Sequence, residues 1–156
     1  MKLNLILVGK TFSPEVKTIC NDYLNRVSRY IKTEETVIES NAQKLNDRKK
    51  AMEKEGELIL KKIGPTDFVI LLDERGKEYT SIQLAGYIET LFNQSHKKVC
   101  FVVGGAYGFS DEVYKRANAK LSLSKMTFSH QIIRAIFLEQ LYRAFTIINK
   151  EPYHHE

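Results

Sequence analysis

Along the chain, short apolar runs alternate with longer segments in which apolar residues recur every three or four positions, the pattern of strands alternating with amphipathic helices. Leu3 to Val8 is the first run, closed by Gly9. Ser13-Pro14-Glu15 then supplies a capping residue, a proline at the first helical position and an acid in the first turn. Val16, Ile19, Cys20, Tyr23, Leu24, Val27 and Tyr30 follow at helical spacing. Thr33 to Glu39 is a β-branched patch and predicts a second strand. Asn46 or Asp47 can cap a charged helix whose narrower apolar face is Met52, Ile59, Leu60 and Ile63, with Gly64-Pro65 ending it.

Asp67 to Asp73 is apolar between its two carboxylates, as a strand covered on both faces requires. The segment ERGKEYTS is expected to be a loop leading to a helix near Ser81, with Ile82, Ala85, Ile88, Leu91 and Phe92 on one side. Val99 to Val103 is the next buried strand and runs into Gly104-Gly105-Ala106-Tyr107-Gly108-Phe109, after which Ser110-Asp111-Glu112 starts a short helix. A strand from Lys120 to Ser124, a polar loop and an apolar helix from about Ile132 to Ile148 complete five strand-helix repeats. That alternation predicts an α/β fold, a largely parallel sheet flanked by helices, in a single domain over residues 1–156.

Composition adds little constraint. With 156 residues, 43% hydrophobic and 28% charged, the chain has the make-up of an ordinary soluble domain, and its net charge of +5 favours a polyanionic partner. Cys20 and Cys100 each sit inside an apolar pattern and belong to no CxxC or Cys/His cluster, so both read as buried free thiols and no metal is expected. The apolar run at the N-terminus lacks a cleavage site and reads as a first strand, not a signal peptide. No segment reaches the roughly 20 apolar residues of a membrane span. A cytoplasmic protein is the expectation.

Ligands of open parallel sheets bind beyond the carboxyl ends of the strands. The loops after Leu72, Val103 and Ser124 are therefore the places to look. Gly104-Gly105-xx-Gly108 would admit close backbone approach, although for a lone glycine cluster a tight strand-to-helix turn is usually the better explanation. It has neither dinucleotide-fingerprint spacing nor a P-loop ending. In the last helix Arg134 and Arg143 are nine residues apart and fall on opposite faces. His130 and Arg134, at i,i+4, point toward the polar loop. Glu139 and Arg143 share that spacing and could be a plain surface ion pair. Ser129 is a good helix cap, and Glu151-Pro152-Tyr153-His154-His155-Glu156 reads as either a frayed terminus or a functional tail.

The run LSLSKMTFSHQIIRAIFLEQLYRAFTIINKEPYH, together with VVGGAYGF and MKLNLILVGK, closely resembles the ribosomal large subunit methyltransferase H family of SPOUT-class enzymes, over the whole chain. Many relatives have proline where Ser129 stands here, and a basic residue where His155 stands. The resemblance implies S-adenosylmethionine-dependent methylation of N3 of a pseudouridine in 23S rRNA within the ribosome. It also implies a homodimer and a C-terminal trefoil knot. Leu72, Gly104, Gly105, Leu123, Ser124, Lys125, Met126, Thr127 and Phe128 match cofactor-lining positions. His130 and His154 are candidate proton acceptors, Arg134 and Arg143 candidates for RNA contacts, and Tyr153 for stacking on a splayed-out base; Arg143 and Tyr153 fall in the catalytic group with the two histidines. Apolar residues around much of the last helix, Ile132, Ile133, Ile136, Phe137, Leu138, Leu141, Phe145 and Ile148, agree with a dimer. A SPOUT enzyme acting on another RNA such as tRNA remains open. A non-catalytic ribosome-binding protein would have no need of Gly104, Gly105 and the Ser124-to-Phe128 loop.

Overall fold

A computed structural model describes residues 1–41 and 44–155. Its elements alternate as the sequence pattern predicts: β1 (Lys2–Val8), α1 (Pro14–Val27), β2 (Thr33–Ile38), α2 (Arg48–Leu60), β3 (Phe68–Glu78), α3 (Ser81–Asn93), β4 (Lys98–Val103), α4 (Asp111–Arg116), β5 (Ala119–Ser122) and α5 (Ile132–Ile148). The sheet order is β2-β1-β4-β3-β5 and every neighbouring pair is parallel. Period-two alternation sorts the strands' side chains into two cores. Leu3, Leu5, Leu7, Ile70, Phe101 and Val103 face α1, α3 and α5; Ile6, Val8, Val69, Leu71, Cys100 and Val102 face Ile59 of α2 and Val113 of α4. Both thiols are buried and unpaired. Among the described residues no helix is long and apolar enough to cross a membrane.

Helix starts follow their capping chemistry. Ser13 Oγ accepts from the Val16 amide at 3.3 Å, and Asp47, not Asn46, caps α2 by accepting from Lys49 and Lys50. Thr80 and Gln83 form a reciprocal capping box on α3. Helix interiors depart more from expectation. The buried face of α2 is Ala51, Glu55, Gly56 and Ile59, so Ile59 alone survives from the apolar face read in the sequence. The helix closes at Leu60 through tight turns at Lys62 and Ile63, ahead of Gly64. Ile82, placed on the buried face of α3, is 47% exposed because the first turn projects outward, and Leu84 takes its place.

The largest difference lies in ERGKEYTS. Rather than a loop, most of it continues β3, which pairs with β5 twice. Leu121 is opposite Leu72 before an irregularity and opposite Lys77 after it. This second pairing is a backbone ladder between mostly polar residues, so the segment gave no strand signal. Gly76 makes it possible: a Cβ there would stand 2.6 Å from the carbonyl carbon of Leu121.

Packed between α1 and α3, α5 buries Phe137, Leu138, Leu141 and Phe145 against the sheet. Much of its apolar circumference is thus covered within one chain, while Ile132 remains 38% exposed.

Candidate active site

The carboxyl ends of β3, β4 and β5 open into one cleft of about 850 Å³. Its walls bring together Leu72, Gly104, Gly105, Leu123, Ser124, Met126, Thr127, Phe128 and His130, which the sequence singled out. Lys125 is exposed and is not among the lining residues. The polar loop that raises this wall uses its own hydroxyls to hold its shape. Ser122 Oγ donates to the Ser124 carbonyl at 2.8 Å, Ser124 Oγ accepts from the Met126 amide at 2.9 Å, and Thr127 Oγ1 donates to Glu74 at 2.7 Å. Ser129 is not the cap of α5, whose N-cap is Gln131 without a side-chain cap bond; two residues earlier, Ser129 Oγ accepts from the Ile132 amide at 3.2 Å and steadies the turn that leads into the helix. Side-chain partners satisfy the loop's polarity, leaving Leu123, Phe128 and Ile133 as apolar wall.

The glycines of the β4–α4 loop have different tasks. Gly108 alone adopts positive φ, 84°. Gly104 is closed in by Phe109, whose ring lies 3.1 Å from where a Cβ would be, and Gly105 by Glu55. Packing behind the wall, as well as room for a ligand, accounts for them.

Sequence reasoning missed the far side of the cleft. Arg48 and Met52 of α2 line it, with the Arg48 guanidinium 5.7 Å from the centroid of the Tyr107 ring. Their i,i+4 spacing in a helix read as a charged surface was the signal available. Asp73 and Tyr114 line it too. Asp73 accepts from the Arg75 amide at 2.8 Å, from the Arg75 guanidinium and from the Tyr114 hydroxyl. Burial raises the Asp73 pKa, yet those donors outweigh it and hold the carboxylate below its ordinary range. Tyr114 is pushed up to about 12 by burial and by Asp73. His130 is half-buried; burial first, and the nearby Arg134 charge second, lower its pKa, so its imidazole is neutral and free to accept a proton.

Arg134 does not face the cleft as an RNA contact. It is fully buried, donating to the carbonyls of Val8 at 2.7 Å and Gly9 at 3.0 Å and to the Thr11 hydroxyl at 2.9 Å. Gln131 ties down the same β1–α1 loop through Lys10 and Phe12. An arginine on the inner face of α5 can reach these carbonyls, and that use excludes phosphate.

Arg143, Tyr153 and His154 form a second cluster. Arg143 pairs with Glu139 at 2.5 Å, lies 4.7 Å from the centroid of the Tyr153 ring and donates to Nδ1 of His154 at 3.4 Å. The pair is only about a quarter exposed, hence not a plain surface contact. Tyr153 bonds Tyr23 and Glu139, each at 3.2 Å, and packs edge-on to Tyr142; Tyr30 donates to Glu151 at 2.6 Å. Burial and these partners raise the Tyr153 pKa. The tail from Glu151 to His154 is docked rather than frayed. Ile133 lines the cleft, and Arg143 follows ten residues later, about 15 Å along the helix axis at 1.5 Å per residue. None of Arg143, Tyr153 and His154 lines the cleft of its own chain.

Residues 1–154 match a family model described as "Predicted SPOUT methyltransferase". The chain is 53% identical to a protein of Parabacteroides distasonis and 51% identical to one of Bacteroides thetaiotaomicron, each over the full length of both chains. It is 49% identical to one of Christiangramia forsetii over 99% of both. All three relatives carry the name ribosomal RNA large subunit methyltransferase H.

Proposed function

The chain belongs to the SPOUT methyltransferase family, and from that premise we propose that it transfers the methyl group of S-adenosylmethionine to N3 of a pseudouridine in 23S rRNA within the ribosome. The observation that carries this reading is the convergence of three strand-end loops on one cleft, lined by all but one of the residues matched to cofactor positions. An adenosyl group suits apolar walls with backbone donors and acceptors, and Leu72, Leu123, Phe128 and Ile133 offer them. The bound cofactor supplies an electrophilic methyl group on a sulfonium. What remains for the protein is to place N3, accept its proton and hold the anionic RNA. His130 lines the cleft with its pKa lowered by burial, which supports giving it the role of proton acceptor. A C-terminal knot belongs to this reading through family membership alone.

The second cluster completes this reading in a homodimer. In this reading Arg143, Tyr153 and His154, which do not line their own cleft, act at the cleft of a partner subunit, where Arg143 neutralises phosphate and Tyr153 stacks on the extruded base. Subunit mixing tests it. Gly104→Val, which presses on Phe109 and the cleft, and Arg143→Ala should each be inactive alone. Mixed, they should regain activity because one site of each heterodimer is intact; an inactive mixture refutes sharing. Mass mapping of 23S rRNA from cells lacking the protein tests the substrate. Loss of a methyl group from tRNA instead would change the target while leaving the enzyme class.

A further inference from the structure

One face of α2 runs from the cleft into the interior. Arg48 and Met52 line the cleft, and Glu55, about one turn further on the same face, lies beneath its wall with 3% of its surface exposed. A Cβ on Gly105 would stand 2.5 Å from Oε2 of Glu55, so the carboxyl occupies the space that a side chain on the loop would take. The next residue repeats the arrangement at the loop's other end, where a Cβ on Gly56 would stand 2.2 Å from Oγ of Ser110. Helix and loop thus approach closely at two points, each where a glycine leaves room for the other segment's side chain.

The electrostatics of Glu55 are unusual for a buried acid. Oε1 accepts from Ser40 Oγ at 3.1 Å, while Oε2 has no hydrogen-bond partner among the described residues. An ionised carboxylate with a bare buried oxygen is strongly disfavoured, whereas a carboxyl that keeps its proton is tolerated. Burial raises the Glu55 pKa and the Ser40 hydrogen bond opposes it; among the described residues no charged group on α2, on the segment after β2 or on the β4–α4 loop enters the balance.

We propose that Glu55 is a positioning residue of the cleft, fixing the backbone from Gly104 to Gly108 through its contact with Gly105 and Ser40. The inference rests on the reading of the cleft as the methyl donor's site. Glu55 touches no substrate; it acts as a neutral carboxyl whose ionisation would put an unpaired charge beneath the loop, drawing the side chain toward water and displacing Gly105.

Two variants of the full chain test it. Glu55→Gln keeps the shape and cannot ionise; Glu55→Ala removes the contact. In S-adenosylmethionine titrations, Glu55→Ala should bind about tenfold more weakly or worse, with turnover at saturating cofactor preserved, and Glu55→Gln should bind as wild type does. Wild-type affinity in Glu55→Ala overturns the proposal. Melting supplies a readout without cofactor. A raised carboxyl pKa means that the wild type loses stability as pH rises through the folded-state value, so the advantage of Glu55→Gln in Tm should widen with pH. An advantage that stays constant with pH overturns the neutral-carboxyl assignment, and it decides the matter if the alanine variant does not fold. Failure of the wild type to bind S-adenosylmethionine at any pH refutes the assignment of the cleft, and the melting comparison then decides Glu55 by itself.

Discussion

The guanidinium of Arg143 lies over the ring of Tyr153, 4.7 Å from its centroid, and so binds the chain's last residues to α5. Arg143 also pairs with Glu139, and both side chains are mostly shielded from water. Arg143→Ala should therefore lower stability by about 1 kcal/mol, the scale of one charged hydrogen bond at a partly solvated site. Transfer to ribosomal particles should fall by about two orders of magnitude or more, as removal of a transition-state charge partner does. Urea denaturation and labelled-methyl transfer on one preparation check both. A stable variant with wild-type turnover would return Arg143 to a purely structural role.

Stopping the chain after Lys150 removes the Tyr30–Glu151 and Tyr23–Tyr153 hydrogen bonds and the packing of Tyr153 on Tyr142. None of these groups lines the cleft, so S-adenosylmethionine should bind the truncated protein with unchanged affinity. Methyl transfer should be lost and Tm lowered. Calorimetric titration beside the transfer assay decides the outcome: equal transfer by both chains would remove the tail from the site.

Arg134 holds the β1–α1 loop through three hydrogen bonds made by a fully buried guanidinium. Charged hydrogen bonds contribute about 1.5–3 kcal/mol each, and leaving carbonyls unpaired costs more, so Arg134→Met should destabilise by about 3 kcal/mol or more. An RNA-contacting arginine would show the opposite pattern, weak RNA binding with normal stability. Chemical denaturation beside RNA binding separates them.

Gly76 and Gly86 form a matched pair. A Cβ on Gly76 would stand 2.6 Å from the backbone of Leu121, between strands that cannot part without losing their ladder. Gly76→Ala should cost about 3 kcal/mol, at the upper end of overpacking penalties, or prevent folding. Gly86, exposed within α3, has nothing within 4 Å of the same position, and Gly86→Ala should stabilise by about 0.4–1 kcal/mol by restricting the unfolded chain. Thermal melts of the two variants check the sign of each change.

Elements whose signal is local were legible before the structure. Ser13 and Asp47 cap where capping chemistry placed them, and the apolar runs of β1 and β4 needed no tertiary context. What stayed hidden was set by partners distant in sequence. The second half of β3 is polar and pairs through its backbone. Glu55 is buried because Gly105 and Gly56 let two segments close on it, and Arg134 is buried because the carbonyls of Val8 and Gly9 face it. The site divided likewise. A contiguous loop from Leu123 to Phe128 could be matched as a block, whereas Arg48, Met52 and Tyr114 join the cleft only through the fold.

His130 offers the sharpest test of the chemistry. Burial and the Arg134 charge both disfavour its imidazolium, so its pKa lies below the ordinary 6.5 and the ring is neutral at physiological pH. If it accepts the N3 proton, the rate of transfer should fall only as pH drops below 6.5, where the ring gains a proton and can no longer accept one. Stability should follow the same sign. A base whose folded-state pKa is depressed loses its contribution to stability as pH falls from the ordinary value through the folded one, because the unfolded chain takes up the proton first. His130→Gln keeps a polar side chain of similar reach without titrating near neutrality. It should slow transfer and remove the acid limb while S-adenosylmethionine still binds. Single-turnover rates measured across the acid range on both proteins read this directly. A variant that keeps the wild type's acid limb would pass the proton to another group, and His154 of the docked tail is the one to substitute next.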